Sequence, residues 1–421
     1  MLAKIFPQSF ESMLINYWQF ACAHKRFLGF GFVMAFLSSP GQTYVIGVFS
    51  PEIQAQFDLD AGSWGRTYMY GTLLSAAIIT WSGSLIDRVD LRWFASISLF
   101  GLGTACLLIS TAYSPVFLVV GIFMLRQFGQ GLSSHSGITS MARYHAADRG
   151  KAIALAAIGF AFGEALLPLL AVFAIAEWGW RNTYFTVGLL VFSAITLVLW
   201  LLKGHGLRHA QLEQTIKNQT ANGETQTGYT RKQALSESRF YLMLPAMIAP
   251  SLIMTAMFFF PNEIAKSKGW SSLWVTGNYW LYSIVSVVTT IYSGTLIDRF
   301  TARKILPLFL IPLAIALLAL VPSSHAFFVV PFMLFMGFSA GLYFTGFSAL
   351  WAELYGAKNL GAIKSLTNSV MVFSSAMGPA LVGFLLSHDV AFESIFILLA
   401  SLCLFATVML VYALRPTSSA G

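Results

Sequence analysis

The heptapeptide SGSLIDR at residues 82–88 has a near copy, SGTLIDR, at residues 293–299. Each copy lies at the end of a long apolar run and closes with an acidic and a basic residue. A repeat in one register indicates two related halves of like orientation, related by a pseudo-two-fold axis along the membrane normal. The same offset, to within one residue, also relates Pro40 to Pro250, Pro51 to Pro261 and Trp64 to Trp274.

The composition excludes a soluble globular protein. Charged residues make up 10% of the 421 positions and hydrophobic residues 57%, whereas soluble chains carry about 25% charge. So much apolar surface requires lipid as its solvent. We therefore predict an all-α membrane protein with twelve transmembrane helices in two six-helix halves. The predicted spans are approximately 27–49, 64–86, 93–111, 115–141, 151–175, 182–203, 241–262, 273–297, 304–321, 326–350, 362–387 and 391–414.

The basic residues predict the orientation of the chain. Most of the 25 Lys and Arg residues lie between spans on the side that holds both termini. Such a bias predicts that this side is cytoplasmic, in a bacterial inner membrane. On the other side, the basic residues between spans are Arg66, Arg181, Lys266 and Lys268.

The domain organisation follows from one polar stretch. Residues 204–240 contain no spanning run and are rich in Gln, Thr, Asn and Lys, which predicts a solvated cytoplasmic linker. The N-terminal half is then 1–203 and the C-terminal half 241–421. The net charge of +8 does not indicate nucleic-acid binding, because the basic residues lie in short loops. The sequence shows no phosphate-binding loop, metal-ligand cluster or catalytic triad, so we expect no enzyme, cofactor or metal.

The stretch GSLIDRVDLR, residues 83–92, resembles the loop motif between helices 2 and 3 of the major facilitator superfamily, approximately GxLADRxGRR. The second copy begins at residue 294, in the corresponding loop of the other half. The resemblance implies a latch that holds the halves together on the cytoplasmic side, and the glycines are expected to allow close helix approach. Ordinary positive-inside anchors are the alternative interpretation. The gate residues implied are Gly83, Asp87, Arg88, Arg92, Gly294, Asp298, Arg299 and Arg303.

Two ionisable residues stand out near the middle of predicted spans. Arg126 in the fourth span and Glu164 in the fifth are each 11 residues from the outer end of their span, so at 1.5 Å per residue they lie at the same depth. Charges at that depth are costly and usually functional. Arg126 is a candidate ligand for an anionic substrate or a participant in proton coupling, and Glu164 is a candidate proton carrier. The alternative is a static Arg126–Glu164 ion pair that only fixes helix packing.

Further polar residues are candidates for substrate binding. The first span is interrupted at mid-depth by SSPGQTY, residues 38–44, and a broken helix exposes backbone groups that can bind a ligand. The polar face of the fourth span continues beyond Arg126. The candidates, besides Arg126, are Gln42, Gln130, Asn278, Tyr279 and Asn368.

The function predicted is secondary active transport of a small organic solute, in particular an organic anion such as a carboxylate, by proton symport. Residues 144–163, with Arg149 and Lys151, are similar to bacterial monocarboxylate-type carriers. The expected partners are the solute, membrane lipid and a coupling proton, and we expect a monomer. A proton-coupled efflux antiporter for drugs or sugars is the alternative. A transporter-like sensor or a membrane enzyme is disfavoured, because no signalling or catalytic motif is present.

Overall fold

The computed structural model describes residues 10–87, 89–145, 148–210, 229–356 and 360–415. The regular elements in these ranges are helices, which confirms the all-α prediction. A leading helix, Phe10–Ala23, precedes the bundle and meets the next helix at an angle of 97°. A short linker helix, Arg231–Ser236, precedes the second half.

Twelve long helical segments follow one another in the described residues, and we number them α1 to α12. Several are made of consecutive pieces that bend or change pitch. Segment α1 comprises Lys25–Leu37, Ser39–Gly41, Thr43–Ile46, Gly47–Phe49 and Ser50–Phe57, and the last piece is called its tail. Segment α2 is Ala61–Ser82 with the tight turn Gly83–Asp87; α3 is Leu91–Ser110; α4 is Pro115–Tyr144; α5 and α6 are 149–178 and 180–201. Segment α7 is Ser238–Phe259 with the extension Pro261–Ser267; α8 is Ser272–Gly277 and Tyr279–Phe300; α9 is Ala302–Leu320; α10 is Ala326–Tyr355; α11 is Leu360–Ser387; α12 is Phe392–Ala413.

By length and apolarity alone, the described residues contain eight membrane-spanning helices, or nine if a bent pair at the N-terminus counts as one span. The difference from twelve has two physical causes. Segments α5 and α6 form one 53-residue helical run that breaks only at Gly179, where φ is 75°. Segments α2 and α8 carry many hydroxyl and aromatic side chains, which lower their hydropathy although their length suffices.

The bundle has two ends, which we call the linker face and the far face. The linker face carries the start of α1, the end of α6 and the start of α7, whereas the far face carries the turn between α1 and α2. The two halves are bonded to each other at the far face. The bonds run from Gln54 Nε2 to Glu263 Oε1 (2.7 Å), from the Gly62 amide to Ser387 Oγ (2.8 Å), and from Asn262 Nδ2 to the Gly47 carbonyl (3.3 Å).

Segments α2 and α11 pack most closely across this far-face seam. A Cβ atom added at Gly65 would lie 2.4 Å from the carbonyl oxygen of Pro379, and one added at Gly383 would lie 2.4 Å from that of Ala61. Only glycine allows backbones to approach so closely. At the linker face, by contrast, no hydrogen bond between two described residues joins the halves. Among the described residues, the hydrogen bonds between the halves thus lie at the far face and, from Ser283 to Glu164, deeper in the bundle.

The turn between α8 and α9 carries conformational strain. Thr301 has φ 71° and ψ 150°, in a region that side chains with a Cβ atom rarely adopt. The equivalent turn of the first half has Asp90 at φ −54°, and the Asp90 side chain caps α3 by accepting a hydrogen bond from the Arg92 amide. The resembled loop motif has glycine at this place, which a positive φ favours.

Thr301→Gly is expected to stabilise the protein by about 1 kcal/mol, because relief of about 1–3 kcal/mol of backbone strain exceeds the added entropy of glycine in the unfolded chain. The measurement is thermal unfolding of the purified protein. Thr301→Ala is the control, since alanine keeps the Cβ atom and should give no gain. Equal stabilisation by both variants would mean that the Thr301 backbone is unstrained.

Candidate functional site

The break in α1 forms the centre of the candidate site. The helix narrows at Ser39–Gly41, and Gln42 is extended, with ψ 149°, before helical structure resumes at Thr43. Pro40 favours this break because its ring lacks an amide hydrogen. The interruption expected at residues 38–44 is thus present, and it frees carbonyl groups near mid-span that need partners within the protein.

Arg126 supplies one of these partners. Its Nη1 donates to the Gly41 carbonyl (3.2 Å) and to Thr43 Oγ1 (3.3 Å), and its guanidinium lies 5.4 Å from the centre of the Tyr68 ring. The side chain is only 1% exposed, and its Nε is buried without a hydrogen-bond partner among the described residues. No carboxylate of the described residues forms an ion pair with it. The Arg126 charge is therefore held by neutral groups.

Segment α4 widens where it meets the break. Residues Leu125–Ser133 form π-helical turns, which are often associated with functional sites. A Cβ atom at Gly41 would lie 2.1 Å from the Leu125 carbonyl oxygen, and one at Gly129 would lie 2.8 Å from the Gly41 Cα. Two glycines thus bring the broken part of α1 directly against the part of α4 that carries Arg126.

Glu164 lies on α5, on the other side of the break. Its carboxylate Oε2 accepts a hydrogen bond from Ser283 Oγ of α8 (3.1 Å), so this contact crosses from one half to the other. The neighbouring Gly163 packs so closely on α1 that an added Cβ would lie 2.1 Å from Ser39 Oγ. Ser39 Oγ in turn accepts a hydrogen bond from the Tyr44 hydroxyl (2.9 Å).

Aromatic rings from both halves surround Glu164. The Phe258 ring of α7 contacts Tyr44, Tyr279 and Tyr282, with ring centres 6.4, 4.9 and 5.0 Å away. All three tyrosines lie in the neighbourhood of Glu164. This arrangement creates a largely apolar setting for the acid, with hydroxyl groups as its nearest polar neighbours.

The structure does not bring Arg126 and Glu164 together. Their polar contacts are different residues, and no ion pair joins them in the described part of the chain. The static ion pair considered from the sequence is therefore absent from this conformation. The reason is that the broken part of α1 lies between α4 and α5 and occupies the space in which the two side chains would meet.

The remaining predicted binding residues have separate surroundings. Gln42 is partly buried and donates to Ser38 Oγ (3.3 Å), and Gln130 is also partly buried. Asn278 is 7% exposed and donates to a carbonyl of its own helix. Tyr279 joins the aromatic cluster near Glu164, and its buried hydroxyl has no hydrogen-bond partner in the described residues. Asn368 is exposed on α11. Tyr279 thus lies near Glu164, and Gln42 lies between the two residues that Arg126 contacts.

The predicted gate residues lie at the linker face. Arg88 and the side chains of Asp87 and Asp298 lie outside the described residues. Arg92 forms two hydrogen bonds to the carboxylate of Asp90 (3.1 and 2.8 Å), which hold the pKa of Asp90 at about 2. Arg92 is thus paired within its own loop.

The second copy of the motif is anchored differently. The guanidinium of Arg299 lies 5.1 Å from the centre of the Phe300 ring, beside it in the sequence. Glu353 of α10 accepts hydrogen bonds from the backbone amides of Ala302 (2.7 Å) and Arg303 (3.4 Å), at the start of α9.

One expectation about the gate glycines is wrong for this conformation. A Cβ atom at Gly83 would meet only His135 Nε2, at 4.0 Å, and one at Gly294 would have nothing within 4 Å. Neither glycine permits a close helix approach here. The ends of α2 and α8 stand away from their neighbours at these two positions.

Three polar residues near the seam were not found by sequence analysis. Lys364 lies within the predicted eleventh span and donates to Ser348 Oγ of α10 (2.6 Å), and its place in an apolar run was a usable signal. Ser283 is one of many hydroxyl residues on α8, so nothing in the sequence distinguishes it. Glu263 lies one residue beyond the predicted seventh span, 241–262, where a charged residue is ordinary, so nothing in the sequence distinguishes it.

An apolar groove of about 490 Å³ lies between α8 and α10. None of its lining residues is charged, and none belongs to the predicted binding set. The groove is therefore unsuited to an organic anion, and the polar groups around the break of α1 remain the better candidate site.

The chain belongs to the Major Facilitator Superfamily, whose family model matches residues 31–333 and again residues 279–421. The fold inferred from the repeated motif is thereby confirmed. The chain is consequently a membrane transport protein and not an enzyme.

Solved structures share this fold. A bacterial homologue of the human lysosomal transporter Spinster, in an inward-facing and occupied conformation, has a TM-score of 0.68 and 13% identity, over 92% of this chain and 94% of its own. A variant of the nucleoside transporter NupG has a TM-score of 0.67 and 10% identity, over 93% of this chain and 99% of its own. The inward-facing and unoccupied form of the Spinster homologue has a TM-score of 0.65 and 14% identity, over 93% of this chain and 97% of its own. Identities this low show the fold alone.

Gly41→Ala is expected to destabilise the protein by about 2 kcal/mol or more, because the added methyl group would overlap the backbone of α4. Gly294→Ala is the matched control, since that helical position has open space around it and alanine favours helix. Thermal unfolding of both variants gives the comparison. A Gly41→Ala protein as stable as the control would contradict the close packing of α1 on α4.

Proposed function

We propose that this transporter carries a small organic anion, such as a carboxylate, together with a proton, by alternating access. The observation that carries the proposal is that Arg126 and Glu164 do not neutralise each other. Charges at mid-depth without an ionic partner are costly, and such charges usually mark a transport pathway. The residues proposed to bind substrate are Arg126, Gln42, Gln130, Asn278, Tyr279 and Asn368, and those for proton coupling are Glu164 and Arg126.

The hydrogen bonding of Arg126 supports the proposal of an anionic substrate. Its bonds to the Gly41 carbonyl and Thr43 Oγ1 are 3.2 and 3.3 Å long, at the weak end of the range for charged donors. A carboxylate would give shorter, bidentate bonds and would use the Nε that lacks a partner. Because Arg126 is buried in this conformation, we propose that α1 moves to expose it.

The position of Glu164 supports the proposal of proton coupling. It is the acid nearest the seam at mid-depth, and a hydroxyl of the opposite half is its donor. A carboxyl group in apolar surroundings favours its neutral form, and a change of surroundings between two conformations reverses that preference. Alternation of the halves would thus couple proton binding to movement.

The linker face is proposed to be cytoplasmic, because most basic loop residues lie on it. On that assignment the far face, where hydrogen bonds join the halves, is the outer face. We further propose that the protein resides in a bacterial inner membrane as a monomer with both termini inside, organised as residues 1–203, the linker 204–240, and residues 241–421. The motif residues Gly83, Asp87, Arg88, Arg92, Gly294, Asp298, Arg299 and Arg303 are proposed to close the linker face in the other state.

The second candidate function is proton-coupled efflux of lipophilic cations or sugars. The aromatic cluster of Phe258, Tyr44, Tyr279 and Tyr282 beside Glu164 favours it, since aromatic rings bind cations and an acid is adjacent. The uncompensated charge of Arg126 opposes it.

Arg126→Ala is expected to abolish stabilisation by carboxylates. A ligand present at about 100 times its Kd stabilises the folded protein by about 2.7 kcal/mol, and the variant should lose that gain. The measurement is thermal unfolding of wild type and variant with a panel of carboxylates, sugars and lipophilic cations. Arg181→Ala, which removes an arginine at the far face, is the control. Stabilisation of both proteins by cations or sugars only would favour the efflux alternative.

Glu164→Gln is expected to uncouple transport from the proton gradient. The variant should still exchange labelled solute across proteoliposomes, because glutamine mimics the protonated acid, but a pH gradient should no longer drive accumulation. Glu177→Gln, at an exposed position near the end of α5, is the control and should retain gradient-driven uptake. Accumulation by Glu164→Gln at the wild-type level would exclude Glu164 as the proton carrier.

A further inference from the structure

A second carboxyl group lies in the seam between the halves, at the far face. Glu263 belongs to the extension of α7, Pro261–Ser267, beyond the spanning part of that segment. Its Oε1 accepts a hydrogen bond from Gln54 Nε2 on the tail of α1 (2.7 Å). Its other oxygen, Oε2, is buried and has no hydrogen-bond partner in the described residues. One of the two carboxylate oxygens of Glu263 thus has a hydrogen-bond donor among the described residues, and that donor is neutral and belongs to the N-terminal half.

The surroundings of Glu263 leave its charge poorly compensated. The charged and titratable groups on the elements around it are Lys266, one turn further along the same helix, Glu52 on the tail of α1, and Tyr279 on α8. Lys266 is exposed and attracts the carboxylate only across a distance, without an ion pair. Lys268, the next lysine, is engaged with Glu393 (2.6 Å).

Burial raises the pKa of Glu263 to about 7, with the Gln54 hydrogen bond acting in the opposite direction. The seam around it is tightly packed: an added Cβ at Gly47 would lie 2.2 Å from the Phe258 carbonyl oxygen, and Asn262 Nδ2 donates to the Gly47 carbonyl. Opening of the far face must separate Gln54 from Glu263 and admit water to the carboxyl group. In water its pKa returns to about 4.3.

We propose that Glu263 is a second proton-binding site of the carrier, and that its proton holds the far face closed. The site takes a proton from the far-face solution when the halves close and releases it when they open. The biological meaning of this inference rests on the proposed function, which makes the far face the outer face of the membrane. External acid would then favour the state in which the outer face is closed.

The sign of the pH dependence follows from linkage. The closed state has the raised pKa, so protonation stabilises it relative to the open state. The stabilisation is complete below the open-state pKa and is lost as the pH rises through about 7. A pKa difference of this size changes the ratio of closed to open molecules on the order of a hundredfold.

The test measures the far face directly, without solute. Spin labels are placed at Gln56→Cys and Ser267→Cys, both exposed at the far face, in a chain whose three native cysteines are replaced. Distances are recorded by electron paramagnetic resonance in lipid nanodiscs from pH 5 to 9. The short-distance population should fall as the pH rises, with a midpoint near 7. Glu263→Gln should remain closed throughout, because glutamine carries no charge to lose.

Two further variants keep the test decisive. Glu177→Gln, the exposed acid near the end of α5, should titrate like the wild type. Gln54→Ala removes the donor that favours the ionised form, so it should move the midpoint to higher pH. A pH-independent wild type, or a titration unchanged in Glu263→Gln, would overturn the proposal.

The test is separable from the proposed function. Glu164→Gln should keep the far-face titration, because Glu164 is bonded elsewhere. A titration lost in that variant and kept in Glu263→Gln would assign the proton to Glu164 instead. Failure of carboxylates to bind would refute the anion hypothesis and leave the far-face result standing.

Discussion

A bilayer offers no water to the backbone, so a helix that breaks at mid-span must find partners inside the protein for the groups it frees. The break of α1 imposes this constraint. Arg126 provides such a partner, because its guanidinium donates a hydrogen bond to the Gly41 carbonyl. The same guanidinium donates to the Thr43 hydroxyl, which is also bonded to the Tyr68 hydroxyl (2.6 Å). The close packing at Gly41 and Gly129 follows, because a guanidinium reaches a carbonyl of a neighbouring helix only when the two backbones are near. The position of the other charge, Glu164, depends on the same break, which lies between the two.

The two halves repeat a scaffold but not its charges. At the repeat offset from Arg126 stands Gly337, where an added Cβ would lie 2.6 Å from the Tyr282 carbonyl oxygen. The second half thus uses that position for tight packing of α10 on α8, and the first half uses it for a buried cation. Arg143 and Glu353 also occupy equivalent positions of the repeat. Arg143 donates a hydrogen bond to the Ile86 carbonyl at the end of α2. Glu353 instead accepts a hydrogen bond from the Ala302 amide at the start of α9. Opposite charges can occupy equivalent positions because one meets a helix C-terminus and the other a helix N-terminus.

Much of this fold could be predicted from the sequence, since the repeated heptapeptide and the apolar runs indicate two six-helix halves, and Pro40 marks the break. The relation of Arg126 to Glu164 could not. Residue counts along a helix give the depth of a side chain in the membrane, but they do not say which third helix stands between two side chains at equal depth. Asp90 stands where the resembled motif has glycine, and its role as the cap of α3 depends on a turn geometry that the motif does not give. Glu263 escaped notice because its burial results from a partner 209 residues away in the chain, a tertiary contact that no local pattern encodes.

The hydrogen bonds that cross the seam between described residues of the two halves share one physical property. Glu164 accepts from a serine hydroxyl, Glu263 from a glutamine amide, and Ser387 from a backbone amide, so neutral donors hold the halves together. A buried ion pair across the seam would have to be separated in every cycle, and removing one partner of such a pair costs about 3–5 kcal/mol. A neutral donor on a charged acceptor contributes only about 1.5–3 kcal/mol, and water can replace that donor when the halves separate. A seam built in this way allows both conformations to lie within a few kcal/mol of each other, which is the condition for a ligand or a proton to shift the balance between them.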